Sequence, residues 1–342
     1  MGISSGHHQL VQAPAHSARL TTIALGSDAM RFVVYGAGAV GGSVAALLHR
    51  AGQDVVIIAR GQHYQAIKDK GLLFEYQQGS ELLPVQAVSR PSELEWRDDD
   101  VVLLGMKSQD TEAALRGLDP RLPVVCLQNG VANERTALRL NAYVYAICVM
   151  FPSTHLEPGV VQVKSWPVPG ILDIGRYPSG VDDRAGEIAA ALRTAGCLSE
   201  PREDIMRWKY RKLLMNLGNA VHAVCQPADA PEIARLVRAE GERVLEAAGI
   251  SVVSEEQDSE RRGDVLQVGV RSSGGSTWQS LQRGTGIVEA DYLNGEIVLL
   301  GRLNGIDARY NDHARQMANW FAATGSPPGT MPGSQWLSKM DL

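Results

Sequence analysis

The segment Arg31 to Gly42, RFVVYGAGAVGG, constrains the fold more than any other part of the chain. An apolar run leads into Gly36, Gly38 and Gly41 at G-x-G-x-x-G spacing, and the small residues Ser43, Ala45 and Ala46 follow. The pattern reads as strand, tight turn and helix. Glycines at these places let the backbone turn sharply, approach a pyrophosphate without Cβ interference, and pack the helix closely on its sheet. The phosphates would rest on the free N–H groups and positive dipole end of that helix. Gly36, Ala37, Gly38, Ala39, Val40 and Gly41 therefore form a candidate cofactor-binding turn. Among 342 residues with 35 glycines, about 0.3 such spacings arise by chance, so the surrounding pattern must support it.

Asp54 to Ala59, DVVIIA, is a β-branched run between Gly52 and Gly61 and reads as a second buried strand. It ends at Arg60, 24 positions past Gly36. An acidic residue there would take the ribose 2′-OH of NAD, whereas Arg accommodates the 2′-phosphate of NADP, so Arg60 points to NADPH. A solvated arginine at a strand end is the plain alternative. Val101 to Met106 and Pro123 to Leu127 are further apolar strands, followed directly by Lys107 and by Gln128, Asn129 and Gly130. Ligands of open α/β sheets bind outside the carboxyl ends of strands, which puts Lys107 and Asn129 beside a ligand. Lysines in such loops are also often only solvated, and Asn-Gly is a common turn pair. Ala142 to Met150 reads as a sixth run, and Val160 to Val163 and Ile171 to Ile174 as antiparallel additions to the sheet. Asp182 to Ala195 is an Ala-rich helix, and Cys197 to Glu200 a last short edge strand.

From about Glu203 the periodicity becomes helical. Ile205 to Cys225 reads as one long helix, Glu232 to Ala248 as a second, and further helices are expected near Glu255, Ser276, Glu289 and Asp312. The expected organisation is an extension over 1–29, an α/β Rossmann-type doubly wound domain over 30–202, an all-helical domain over 203–325, and a Pro- and Gly-rich tail over 326–342. On the helix RWKYRKLLMNLGNAV, Lys212, Asn216 and Asn219 project from nearly one face. Such polar groups among Leu, Met and Val need partners, and a ligand is one source. Desolvation would also bring the lysine toward the range of acid-base chemistry; a polar surface stripe is the alternative. Glu289, in EADYLNG, falls at an expected helix start where the dipole favours a carboxylate. Ser276 and Thr277 read equally well as a helix cap.

A net charge of -5 gives no electrostatic footprint for nucleic acid, and the longest apolar runs are far too short to span a bilayer. The four cysteines are widely separated with no C-x-x-C, so neither a metal site nor a disulfide framework is expected, and the compartment reads as cytoplasmic.

The ordered set GAGAVGG, Arg60 after the second strand, Met106-Lys107, QNGV, WKYRKLLMN and EADYLNG resembles the ketopantoate reductase (2-dehydropantoate 2-reductase) family, from Met30 to about Ala323. The resemblance implies a cleft between a Rossmann domain and a helical domain, holding NADPH and a 2-oxo acid, and by analogy a homodimer. It makes Gly36, Gly38 and Gly41 the pyrophosphate cradle, Arg60 the 2′-phosphate contact, and Lys107 and Asn129 the border of the cofactor. It makes Lys212 the general acid and Glu289 the residue that positions it. Asn216 and Asn219 would hold the substrate, and Ser276 or Thr277 its carboxylate. Ketopantoate is the first expected substrate; another 2-oxo or 3-hydroxy acid, or an NADP-binding sensor without turnover, are the alternatives. Departures from the family pattern are Ala220 where a second Asn is usual, Thr277 at the substrate serine, and Arg309 in place of a proline.

Overall fold

The computed structural model describes residues 30–268 and 274–341. The extension expected over 1–29 lies outside the described residues. Among the described residues, seven strands form the main sheet: β1 (Arg31–Tyr35), β2 (Asp54–Ile58), β5 (Gln86–Val88), β6 (Asp100–Leu104), β7 (Val124–Cys126), β8 (Val144–Met150) and β11 (Ile171–Arg176). Their spatial order is β11-β8-β7-β6-β1-β2-β5. All neighbours are parallel except β11, which runs antiparallel to β8 with Ile171 opposite Met150. Chain order reverses between β1 and β6, where doubly wound sheets open their ligand crevice.

The strands read as unbroken apolar runs because both faces are covered. Phe32 and Val34 of β1 join one cluster, with Val44 and Leu48 of α1 (Ala39–Arg50) and Ile188 and Leu192 of α5 (Asp183–Thr194). Val33 between them joins the other, with Leu115 of α3 (Thr111–Leu115) and Ala137 of α4 (Asn133–Leu138). Helix α2 (Gly61–Lys70) follows β2. A second sheet, β4-β3-β10-β9, is built from β3 (Leu72–Tyr76), β4 (Gly79–Leu83), β9 (Ser153–Thr154) and β10 (Val160–Val163). Two expectations are corrected here. Val160 to Val163 pairs with Leu73 to Glu75 in this second sheet and not with the main one. In place of an edge strand over Cys197 to Glu200 there are isolated bridges from Leu198 and Pro201 to β11.

The remaining elements are helices: α6 (Ile205–Asn216), α7 (Gly218–Val224), α8 (Ala230–Ala247), α9 (Glu255–Arg262), α10 (Ser276–Gln282), α11 (Asn294–Asn304), α12 (Arg309–Thr324) and α13 (Gly333–Ser338). Their core gathers Leu213, Leu217, Val221, Val237, Val244, Ile297 and Phe321, and takes in Val131 from the sheet half. The long helix expected over Ile205 to Cys225 is interrupted at Leu217. There the Asn294 side-chain amide donates to the Leu217 carbonyl at 3.0 Å, tying the junction of the two helices to α11. The sequence offers no structure for the tail over 326–342, yet its described residues pack on the helical core: Met331 bridges to Cys225, and Trp336 is fully buried with its carbonyl on the His313 ring nitrogen at 2.9 Å. Among the described residues no helix is long and apolar enough to cross a membrane.

Candidate active site

A cavity of about 560 Å³ opens at the carboxyl ends of β1, β2 and β6. Its sheet-side wall is the glycine turn. Gly36 has φ +99°, and a Cβ there would lie 2.5 Å from the Met106 nitrogen. A Cβ on Gly41 would lie 2.1 Å from the Gly36 carbonyl oxygen. A side chain on Gly38 would meet nothing within 4 Å, because that face looks into open space. Helix α1 starts there with no side-chain cap and no acidic residue in its first turn, so its end N–H groups are available to an anion. A dinucleotide fits this donor set: Gly36 to Val40 line the cavity together with Arg60, Lys107 and Asn129.

His63 of α2 braces the turn. Its Nδ1 accepts the Gly159 N–H at 2.8 Å, which leaves Nε2 to donate to the Ala37 carbonyl at 2.7 Å. Burial, then the neighbouring His155, pushes its pKa down to about 4, so the ring is neutral at pH 7. Because C=O and N–H of a trans peptide point oppositely, holding the Ala37 carbonyl directs the Gly38 N–H away from His63. Arg60 stands just before α2, and its side chain pairs with Asp110, another residue of the cavity wall.

The helical half closes the other side with Ser276, Gln279, Ser280, Arg283, Thr285, Ile287 and Glu289. Lys107 Nζ donates to the Ile287 carbonyl at 2.9 Å. The Glu289 carboxylate accepts the Ser108 N–H at 3.0 Å and its hydroxyl at 3.1 Å. Burial raises the Glu289 pKa above the ordinary carboxylate value, against the opposing pull of the Ser108 bonds and Lys107. The expectation that Glu289 starts a helix is corrected: α11 begins at Asn294, and Glu289 sits in the preceding turn with its carbonyl on the Tyr292 and Leu293 N–H groups.

Asn216 donates to Asn129 Oδ1 at 3.1 Å, linking α6 to the cavity rim. The Asn219 side chain abuts Gly275, one residue before Ser276. Of the two carboxylate candidates, Ser276 lines the cavity and Thr277 is buried outside its walls. Lys212 is not among the cavity-lining residues. Burial lowers its pKa below the ordinary lysine value, and the charged side chains acting on it are Asp258 and Arg262 of α9. The structure therefore gathers Gly36 to Val40, Arg60, Lys107, Asn129, Ser276 and Glu289 around the cavity, with Gly41 buried behind the turn, and leaves Lys212 one helical turn from the rim, at Asn216.

Several residues here escape the sequence reading. Ser108 directly follows Lys107, and Gln279, Ser280 and Arg283 continue from Ser276 along one helical stripe, a legible i, i+3, i+4, i+7 signal. Lys209 and Glu134 form a buried pair at 2.6 Å, and Lys209 also donates to the Gln128 and Ile147 carbonyls at 2.9 and 3.1 Å. That clamp joins α6 to the loop carrying Asn129. Its distance in sequence hides it.

A parallel sheet with a glycine turn at its switch point, roofed by polar side chains of a helical half, defines the two-part dinucleotide-binding oxidoreductases. Residues 32–179 match the family described as ketopantoate reductase PanE/ApbA, and residues 204–319 match its C-terminal part. The chain belongs to the ketopantoate reductase family. It is 30% identical over 299 residues to the 2-dehydropantoate 2-reductase of Archaeoglobus fulgidus, covering 82% of this chain and 94% of the relative. The Pyrococcus horikoshii enzyme of the same name is 29% identical over 303 residues, with the same two coverages of 82% and 94%. Among solved structures, the PanE/ApbA family ketopantoate reductase of Ralstonia eutropha JMP134 superposes with a TM-score of 0.71 at 30% identity, over 86% of this chain and 99% of that one. The fold is shared more widely: a D-mandelate dehydrogenase solved with NADH and anilino(oxo)acetate reaches a TM-score of 0.75 at 22% identity, over 86% and 99% of the two chains.

Proposed function

We propose that the chain reduces 2-dehydropantoate, a branched 2-oxo acid, to the corresponding 2-hydroxy acid, pantoate, with NADPH. The observation that carries this reading is one cavity lined from the sheet half by the glycine turn, Arg60 and Lys107 and from the helical half by Ser276 and Glu289. When bound, the nicotinamide supplies a hydride to the substrate's carbonyl carbon. Gly36 to Gly41 and the start of α1 hold the pyrophosphate. Arg60 exchanges Asp110 for the 2′-phosphate, and Lys107 and Asn129 border the nicotinamide end.

Negative charge grows on the carbonyl oxygen as the reaction proceeds, and a preorganised ammonium both stabilises it and gives it a proton. Lys212 takes that role. Its lowered pKa makes it a readier acid than an exposed lysine. Asn216 and Asn219, on the same stretch of helix, orient the substrate, Ser276 receives its carboxylate, and Glu289 positions the lysine and the substrate's hydroxyl. To act, Lys212 turns from the α9 side toward the Asn129 rim, with Asn216 as the nearest fixed point.

The test is a panel of 2-oxo acids assayed by loss of reduced-nicotinamide absorbance, with 2-dehydropantoate expected to give the highest kcat/KM. Lys212→Ala should lower turnover by roughly 10²- to 10⁴-fold, the usual range for a lost general acid, while NADPH still binds. A chain that binds NADPH and reduces none of the panel would be a sensor, and the reductase reading would be withdrawn.

A further inference from the structure

Three side chains of basic type line the cavity: Arg60, Lys107 and Arg283. Arg60 has Asp110 as its counter-ion. Lys107 lies within the field of Glu289 and donates to the Ile287 carbonyl. Arg283 also donates to a neutral group, the His155 carbonyl, but among the described residues no carboxylate pairs with it or offsets its burial. A half-buried guanidinium cannot shed its proton, so in a cavity it calls for an anion.

The position of Arg283 says which anion. It continues the stripe Ser276, Gln279, Ser280 that α10 turns toward the cavity. Its bond to the His155 carbonyl ties it to the sheet half, and His155, His63 and the glycine turn line the same cavity. The His155 ring lies 4.2 Å from the His63 ring, and His63 donates to the Ala37 carbonyl of the turn at 2.7 Å. The turn itself, GAGAVG, supplies N–H groups and no cation, and the first turn of α1 contains no charge. A pyrophosphate seated there would have dipoles on one side and two negative charges uncompensated on the other.

We propose that Arg283 is the counter-cation of the dinucleotide's pyrophosphate, delivered by the helical half across the cavity, so that cofactor binding also ties the two halves together. The inference rests on a dinucleotide occupying the glycine turn, as in the proposed function, and adds a binding residue contributed by the opposite half.

The test uses the full chain and measures dissociation constants by calorimetry for NADP+, ADP and AMP, independently of turnover. Arg283→Met keeps the aliphatic stem. A charge-assisted hydrogen bond contributes on the order of 1.5–3 kcal/mol, so Kd for NADP+ and ADP should rise about ten- to a hundredfold, with a much smaller rise for AMP, which lacks the second phosphate. Arg283→Lys should recover part of the loss, and circular dichroism should show both variants folded. Arg60→Ala provides the contrast, weakening NADP+ but leaving ADP unchanged. Unaltered Kd values for NADP+ and ADP in Arg283→Met, with a raised KM for the oxo acid, would overturn the inference and place the cation on the substrate. Failure of the parent chain to bind any of the three ligands would overturn the dinucleotide reading and this inference with it. If Arg283→Met does not fold, Arg283→Gln gives the same comparison, and equal Kd values there would be equally decisive against it.

Discussion

Substituting Gly38 and Gly41 singly by alanine separates what the glycine turn does for the fold from what it does for a ligand. At Gly41 the new Cβ would stand 2.1 Å from the Gly36 carbonyl oxygen, and both partners are backbone, so no rotamer relieves the contact. Restoring a tolerable approach of 3.0 Å requires a shift of 0.9 Å between the turn and α1 (3.0 − 2.1). Overpacking of this kind costs about 1–3 kcal/mol, and more where backbone must move. For a domain of this size each kcal/mol lowers Tm by about 2–4 °C, so Gly41→Ala should melt on the order of 5–10 °C below the parent. Gly38 presents the opposite case. It has φ −67° and ψ −162°, open to alanine, and no atom lies within 4 Å of its Cβ position. Gly38→Ala should therefore melt within about 2 °C of the parent, or slightly above it through the stiffer unfolded chain. Its methyl would fill the space through which a pyrophosphate approaches. Thermal melts with and without NADPH read both effects: a ligand at a hundred times its Kd stabilises by about 2.7 kcal/mol, so the parent should gain several degrees and Gly38→Ala almost none. A Gly38→Ala protein that gains as much as the parent would refute the placement of the phosphates, and a Gly41→Ala protein that melts with the parent would refute the close approach.

Other perturbations follow from single contacts. Lys209→Met strands the Glu134 carboxylate in the interior and should cost about 3–5 kcal/mol; a denaturation cycle with Glu134→Leu should show coupling above about 1 kcal/mol, and additive effects would mean that the pair does not interact energetically. Trp336→Ala should cost about 3–5 kcal/mol because the indole is fully buried; an unchanged Tm after deleting residues 326–342 would show that this segment contributes nothing to the helical core. For turnover, Lys212 must be protonated and Glu289 ionised. Activity should thus fall as pH rises through a Lys212 pKa below the ordinary 10.5, and fall again as pH drops through a Glu289 pKa above the ordinary 4.5. Lys212→Ala should remove the alkaline limb from the residual rate, and an alkaline limb that persists would assign it elsewhere.

Local pattern carried much of this molecule. Buried parallel strands reveal themselves as continuous β-branched runs because both of their faces are covered, as Val33 and Val34 of β1 are from opposite sides. The glycine turn is legible for a similar reason, since Gly36 and Gly41 are dictated by backbone atoms that any such turn brings near. The second sheet was missed because β3 and β4 are short and partly polar. Within β3 and β4 only Leu72, Phe74 and Leu83 are buried, with charged Glu75 and Glu81 among their neighbours. The interruption at Leu217 is invisible in the sequence because the apolar period continues through it, and the Asn294 amide that meets the Leu217 carbonyl comes from 77 positions away.

The same distinction governs the site. Residues fixed by a strand end, such as Arg60, Lys107 and Asn129, can be placed from sequence because the sheet delivers them to one edge whatever follows. Residues whose position depends on how the helical half docks cannot. Glu289 has a plausible local explanation as a helix-start carboxylate, yet its observed partner is Ser108, 181 positions earlier. Lys212 has the right neighbours along α6, but whether it faces the cavity or α9 is set by the packing of α9 and the Lys209 clamp, neither of which a helical stripe encodes. Docking of the two halves is therefore the variable that controls the chemistry. Glu289 on Ser108, Asn216 on Asn129, Lys209 on Glu134 and Arg283 on His155 each pin that docking at a different depth of the cleft. Of these, Arg283 alone offers a full positive charge to the cavity without a carboxylate partner among the described residues, which makes its contact the one a phosphate ligand can tighten.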